Sequence, residues 1–149
     1  MHPFDIKSAL FAKHAQHVVL IHFPIALFVA GVAFDFLAQW FRRPLLAAAA
    51  YCNLFVAALS TIPVLVTGIL AWQWELEGQR LKGILLMHLV WGCVSTVLIW
   101  SVWIIHRRTR RKEETILPVY RLPIEAVAIV IVALTGHLGG FLSGVNGQG

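Results

Sequence analysis

Four long apolar runs constrain this chain more than any other feature of its sequence. They cover residues 18–41, 45–72, 84–105 and 124–142. Each run reaches the roughly 20 apolar residues that a helix needs to cross a bilayer. Transmembrane strands need only about 9–11 residues and alternate polar with apolar positions, a pattern that these runs lack. The sequence therefore predicts an all-α integral membrane protein with four transmembrane helices.

The remaining sequence is too short to form a second domain. Only 13% of the 149 residues are charged, against about a quarter in an average soluble domain. We therefore treat residues 1–149 as one membrane domain. Because the connections between spans are short, they favour sequential antiparallel packing, an up-down-up-down four-helix bundle. Residues 3–17 mix apolar and charged positions and predict a short N-terminal helix lying at the membrane interface.

The basic residues indicate the orientation of the bundle. One side of the predicted topology carries eight of the twelve Lys and Arg residues: Arg42, Arg43, Arg107, Arg108, Arg110, Arg111, Lys112 and Arg121. The other side carries Lys7, Lys13, Arg80 and Lys82. By the positive-inside rule the first side is cytoplasmic. We expect a multi-pass protein of a bacterial inner membrane with both termini non-cytoplasmic, and no nucleic-acid partner despite the net charge of +5.

Histidines converge on the non-cytoplasmic half of the predicted bundle. With a helical rise of about 1.5 Å per residue, His22 and His88 lie roughly 6 Å inside their spans and His137 roughly 8 Å inside the fourth. His14 and His17 stand at the entrance, whereas His2 and His106 fall outside this group. Polar side chains inside a membrane are costly and usually face the bundle interior. We therefore interpret the histidines as the walls of one site.

Haem b fits this arrangement, because it takes axial imidazoles from facing helices. The first and third spans are diagonal in an up-down bundle, so His22 and His88 are the preferred axial pair. His17 and His137 are the next candidates, for one or two haems in all. Small residues such as Gly92 allow a close approach to the backbone, and Arg80 is a candidate partner for a propionate. The predicted cofactor-binding residues are thus His17, His22, His88, His137, Gly92 and Arg80, and the four histidines among them are also the candidate metal ligands.

Helix periodicity limits which histidines can share one ligand. At 100° per residue, His22 points about 140° away from His17. A straight helix cannot direct both to the same metal ion, but Pro24 predicts a kink in this span.

These features predict that the protein is a small haem b-binding, cytochrome b-like electron-transfer subunit that works with other membrane or periplasmic subunits. One alternative is a histidine-cluster protein for zinc or copper, although no cysteine set supports it. Another is a cofactor-free accessory subunit of a membrane complex. No serine–histidine–acid arrangement or phosphate-binding glycine loop indicates an enzyme acting alone. Asp35 and Glu125 are expected to form interfacial ion pairs, with arginines at similar depth as partners: Arg42, Arg43 and Arg121.

The stretch HVVLIHFPIAL resembles a family of uncharacterised bacterial four-span membrane proteins whose opening motif is HP-x-x-x-HFPIAL. His17 and His22 occupy its two histidine positions, and Val18 replaces the proline. The family's G-x-x-D-W resembles residues 68–72, where Ala71 replaces the acid. Its third-span histidine is similar to His88, and its closing glycine pair to residues 139–140. The resemblance implies the four-span topology and a polar site around the histidines.

Overall fold

The computed structural model describes residues 13–75, 78, 80–111 and 118–143, and these residues form five helices and no strand. The helices are α1 (Lys13–Leu20), α2 (His22–Phe41), α3 (Pro44–Glu75), α4 (Gly83–Arg111) and α5 (Arg121–Leu142). Residues 3–12 of the predicted interfacial segment 3–17 lie outside the described residues. The rest of the segment, from Lys13 onward, is helical.

Four stretches of these helices are long and apolar enough to cross a membrane: Gln16–Phe41, Pro44–Trp74, Gly83–Arg110 and Arg121–Leu142. They confirm the four predicted spans. The largest difference is in α4, which continues past Ile105 to Arg111. Arginine is a good helix former, and Arg107, Arg108 and Arg110 are exposed on this extension. The charges that mark the end of an apolar run therefore do not end the helix.

A break at Ile21 separates α1 from α2. A helical residue at position 24 would donate its N–H to the carbonyl of Leu20, but Pro24 has no N–H and its ring clashes with that carbonyl. α1 accordingly ends at Leu20. Ile21 itself keeps right-handed helical dihedral angles, φ −60° and ψ −26°, so the kink at Pro24 stays a prediction.

Cross-helix contacts establish the up-down order of the bundle. The residues facing each other run in opposite directions along neighbouring helices, as in Trp103–Phe55 and Trp100–Thr61 between α4 and α3. The helices pack side by side in the order α2, α3, α4, α5 and back to α2, and α1 packs on α3. The first and third spans are therefore diagonal, as predicted. We call the bundle end with Arg42, Arg43 and Arg107 the arginine end, and the opposite end, with His17 and His88, the histidine end.

The core lies along the bundle axis and is built from all four spans. Its buried apolar residues are Phe28, Val32, Leu54, Ala57, Ala58, Ile99, Val102, Trp103, Ala128 and Val132. Gly31 lets α2 approach α3 closely, because a Cβ there would lie 2.9 Å from the Leu54 side chain. Large apolar side chains such as Val66, Val97 and Val130 are exposed on the outside of the bundle, as expected for a surface in contact with lipid.

Candidate functional site

Buried charged side chains meet at the arginine end, where neighbouring helices bring together residues that are far apart in the sequence. Asp35 comes from α2, His106 from α4, and Arg121 and Glu125 from the first two turns of α5. The side chains in the two ion pairs are at most 4% exposed. We call Asp35, His106, Arg121 and Glu125 the charge cluster.

Arg121 is at the centre of this cluster. Its Nε donates to Oδ2 of Asp35 at 2.9 Å and lies 3.9 Å from Oε1 of Glu125. Nη1 donates to the carbonyl of Pro118 at 3.2 Å. With its amide oriented so that oxygen faces the guanidinium, Gln39 accepts from Nη2 at 2.9 Å and from Nη1 at 3.3 Å. The guanidinium is therefore surrounded by acceptors.

His106 completes the cluster on the other side of Glu125. Its Nε2 lies 3.0 Å from Oε1 of Glu125. The ligand-type atoms of Asp35, His106 and Glu125 all lie within 4.8 Å of one another, a spacing that also occurs in metal sites. Here, however, the Arg121 guanidinium already lies against both carboxylates, with Nε 2.9 Å from Oδ2 of Asp35 and 3.9 Å from Oε1 of Glu125. We therefore assign no metal-ligating role to these side chains.

The sequence analysis anticipated this site only in part. The expected ion pair between Asp35 and Arg121 is present, but it is buried inside the bundle rather than exposed at the interface. His106 was placed outside the predicted histidine site and is instead part of the charge cluster. The sequence could have predicted that His106 lies near Glu125, because antiparallel packing of the last two spans places the end of α4 level with the start of α5.

At the histidine end, His17 and His88 form a pair. Their ring centroids are 6.4 Å apart, and the ring planes are nearly perpendicular, at 87°. α1 carries His17 and the second turn of α4 carries His88. Both side chains are partly buried. We call His17 and His88 the histidine pair.

Hydrogen bonds define the tautomer of each ring in this pair. Nδ1 of His88 lies 3.2 Å from the carbonyl of Thr135, and because a carbonyl only accepts, Nδ1 carries the proton. Nδ1 of His17 lies 3.3 Å from Oγ1 of Thr67. The Thr67 hydroxyl donates to the Pro63 carbonyl at 2.8 Å, so it accepts from His17. In the neutral form both imidazoles therefore carry their lone pair on Nε2.

Two glycines make room for these rings. A Cβ at Gly68 would lie 2.9 Å from Cε1 of His17, and a Cβ at Gly139 would lie 3.0 Å from Cε1 of His88. The distance at Gly68 is shorter than real Cβ atoms essentially ever show, and the distance at Gly139 is tighter than nine in ten real Cβ contacts. The histidine pair thus packs directly against the backbones of α3 and α5.

One protein family, described as "Predicted membrane protein (DUF2231)", matches residues 13–148 of the chain. The chain belongs to this family. The match confirms the resemblance seen in the sequence. The comparisons with curated proteins and with solved structures gave no match.

Motif residues that carried the resemblance to the DUF2231 family lie together in the structure. His17 is seated on Gly68, and His88 is seated on Gly139. The two imidazoles then face each other across the histidine end. Four separate motif positions therefore form one local structure.

The other predicted site residues of this DUF2231 protein lie in different surroundings. The His22 side chain is exposed, and its Nδ1 is 2.7 Å from the Val18 carbonyl of the preceding helical turn. His137 is exposed, and its ring packs edge-on to Phe141 at 4.9 Å. Arg80 is exposed just before α4, and a Cβ at Gly92 would meet only Thr135, at 4.0 Å. The structure thus brings His88 next to His17.

Proposed function

We propose that this DUF2231 protein is a small membrane haem b-binding electron-transfer subunit in which His17 and His88 would hold the haem. One observation carries the proposal: two motif histidines lie side by side, each seated on a motif glycine. In the sequence analysis His22 was the preferred partner of His88. The geometry favours His17, because His22 is exposed and its ring is bonded to the Val18 carbonyl four residues earlier in the chain.

The hydrogen bonds support a ligating role for both rings. Ligating histidines usually donate their second ring N–H to a nearby acceptor, which fixes the tautomer and raises the basicity of the ligating nitrogen. Thr67 and the Thr135 carbonyl accept from Nδ1 in this way. The nitrogen with the lone pair is then Nε2 in both rings.

The spacing of the rings is compatible with both imidazoles holding one metal ion. With a metal–nitrogen distance of about 2.0–2.1 Å, two imidazoles that share an ion would have centroids up to roughly 6 Å apart. The observed separation is 6.4 Å. Haem iron held by two histidines would carry single electrons, and Arg80 is the candidate partner for a propionate. The partners would be other membrane or periplasmic electron-transfer subunits.

The difference spectrum of the purified protein tests this proposal. We expect a reduced-minus-oxidised haem α band that is lost in His17→Ala and in His88→Ala. His137→Ala is the matched control, because it removes an exposed imidazole from the same end and should keep the band. A folded protein that contains no haem when produced in haem-replete cells would overturn the proposal.

A single bound metal ion is the second candidate. The tight seating of the rings on Gly68 and Gly139 favours it, because an ion needs less space between the helices than a macrocycle. Elemental analysis would then find stoichiometric zinc or copper that His88→Ala removes, with no haem band. Tight co-purification with other membrane proteins, with neither haem nor metal, would instead indicate an accessory subunit.

For the orientation, we propose an inner-membrane location with the arginine end in the cytoplasm and both termini outside. The exposed Arg42, Arg43, Arg107 and Arg108 gather at one end, as the positive-inside rule requires of a cytoplasmic face. Single cysteines can test this in a variant whose native Cys52 and Cys93 are replaced by serine. Arg80→Cys should react with an impermeant thiol reagent in intact cells, and Arg108→Cys only after permeabilisation. The reverse pattern would invert the topology.

A further inference from the structure

The charge cluster contains two acidic side chains but only one arginine, and we base a second proposal on this imbalance. Asp35 and Glu125 bring two negative charges and Arg121 brings one positive charge. With a neutral His106 the cluster would bear a net charge of −1 while at most 4% of each side chain is exposed. Burial of a net charge in a medium of low polarity is strongly unfavourable unless a partner neutralises it.

We propose that the charge cluster is a proton-binding site that holds one exchangeable proton between His106 and Glu125. Nε2 of His106 and Oε1 of Glu125 are 3.0 Å apart, so the two groups are hydrogen-bonded and either can take up a proton without losing its partner. One proton added to the imidazole or to the carboxylate brings the net charge of the cluster to zero. The proposal is independent of what the histidine pair binds.

The surrounding groups neither replace this proton nor prevent its binding. α3 packs against α4 but has no charged residue between Pro44 and Trp74, and its Tyr51 faces the guanidinium of Arg110 at 4.4 Å. Among the residues whose side chains the structure describes, the other charges near this end are exposed arginines, which favour the proton-free form: Arg42, Arg43, Arg107, Arg108 and Arg110. Salt screens exposed charges far more than buried ones. The buried imbalance therefore dominates.

The proton reaches this site from the arginine end. A groove between α2 and α5 reaches Glu125, and its other walls are apolar, among them Val29, Phe36 and Ile129. These apolar walls offer water no hydrogen-bonding partners. At the arginine end, by contrast, the exposed Gln39 contacts the guanidinium of Arg121 directly. We therefore expect the proton to enter the cluster past Gln39.

Infrared difference spectroscopy of the protein in lipid nanodiscs between pH 5 and pH 9 tests the proposal. Isotope-labelled histidine identifies imidazole bands, and His106→Asn identifies those of His106. We expect histidine and carboxyl bands to change in a single transition that is absent in His106→Asn. His137→Asn, at the opposite end, should leave this transition intact.

Neutral variants of the acids separate charge balance from a local hydrogen bond. In Glu125→Gln or Asp35→Asn, the remaining carboxylate balances Arg121 without a proton. Proton uptake is then no longer needed for charge balance, so the His106 transition in both variants should differ from that of the wild-type protein. Asp35→Asn is the decisive one, because the Asp35 partner is Arg121 rather than His106. Circular dichroism checks that each variant folds.

Three results would overturn the proposal. One is a wild-type protein in which His106 remains neutral from pH 5 to pH 9 while the carboxyl bands stay constant. Another is an unchanged His106 transition in a folded Asp35→Asn variant. The last is a stoichiometric metal ion that Asp35→Asn releases, because the cluster would then balance its charge with a metal and not with a proton.

Discussion

The two ends of the bundle stabilise polar side chains inside the membrane in different ways. At the arginine end, charged side chains satisfy one another, and Arg121 has acceptors from Asp35, Gln39 and Pro118. At the histidine end, two imidazole rings are held by a threonine hydroxyl and by a backbone carbonyl. The first site is nearly closed to solvent, and the second is only partly buried.

This difference separates stability from ligand binding. A buried charge network destabilises the fold strongly when one partner is removed, because the remaining charge has no compensation. A neutral imidazole leaves at most an unpaired hydroxyl or carbonyl behind. We therefore expect the arginine end to dominate the stability of the bundle and the histidine end to govern what it binds.

Loss of the central guanidinium should give the largest effect. Arg121→Met leaves Asp35 and Glu125 buried together without their cation, and we expect a loss of about 3–5 kcal/mol in the free energy of unfolding. Unfolding in mixed detergent micelles, followed by circular dichroism, measures it. Arg108→Met is the matched control, because Arg108 is exposed at the same end, and its effect should stay within about 0.5 kcal/mol.

A second substitution sharpens this test. Asp35→Asn added to Arg121→Met removes one of the two stranded charges, so the double variant should be more stable than Arg121→Met alone. If the double variant is as unstable as the sum of the two single losses, the residues do not act as a charge pair, and the contrast between the two ends fails.

The sequence predicts the spans well because apolar length and arginine position are properties of single helices. It also predicts an arginine partner for Asp35 from depth, but it does not select Arg121 over Arg42 and Arg43. It favours His22 as the partner of His88, whereas the structure places His17 beside His88, because the glycines of the facing helices make room for these two rings. His106 joins the charge cluster only because α4 continues beyond the apolar run. The sequence of a single helix therefore predicts how deep a residue lies in the membrane, whereas the partners of that residue depend on packing between helices.

Overpacking of the glycine seat tests the histidine end directly. Gly139→Ala places a methyl group 3.0 Å from Cε1 of His88, so either the ring or the helix must move. We expect a stability loss of about 1–3 kcal/mol and weaker haem or metal binding. Gly92→Ala is the control, because its Cβ would be 4.0 Å from the nearest side chain, an ordinary contact. Equal binding by the two variants would show that the seat of His88 does not matter to the ligand.

The smallest effect should come from the hydroxyl that orients His17. Thr67→Val removes the acceptor of Nδ1, and interhelical hydrogen bonds in membrane proteins contribute about 0.6 kcal/mol on average. Thr135→Val is a matched comparison, because it removes the hydroxyl bonded to Ser95 but keeps the backbone carbonyl that accepts from His88. Both variants should therefore lose similar stability, while only Thr67→Val should shift the nitrogen resonances of a pair histidine and weaken ligand binding. If Thr135→Val weakens binding as much, the side chains around the rings matter through packing, and the hydrogen bonds do not select the ligating nitrogen.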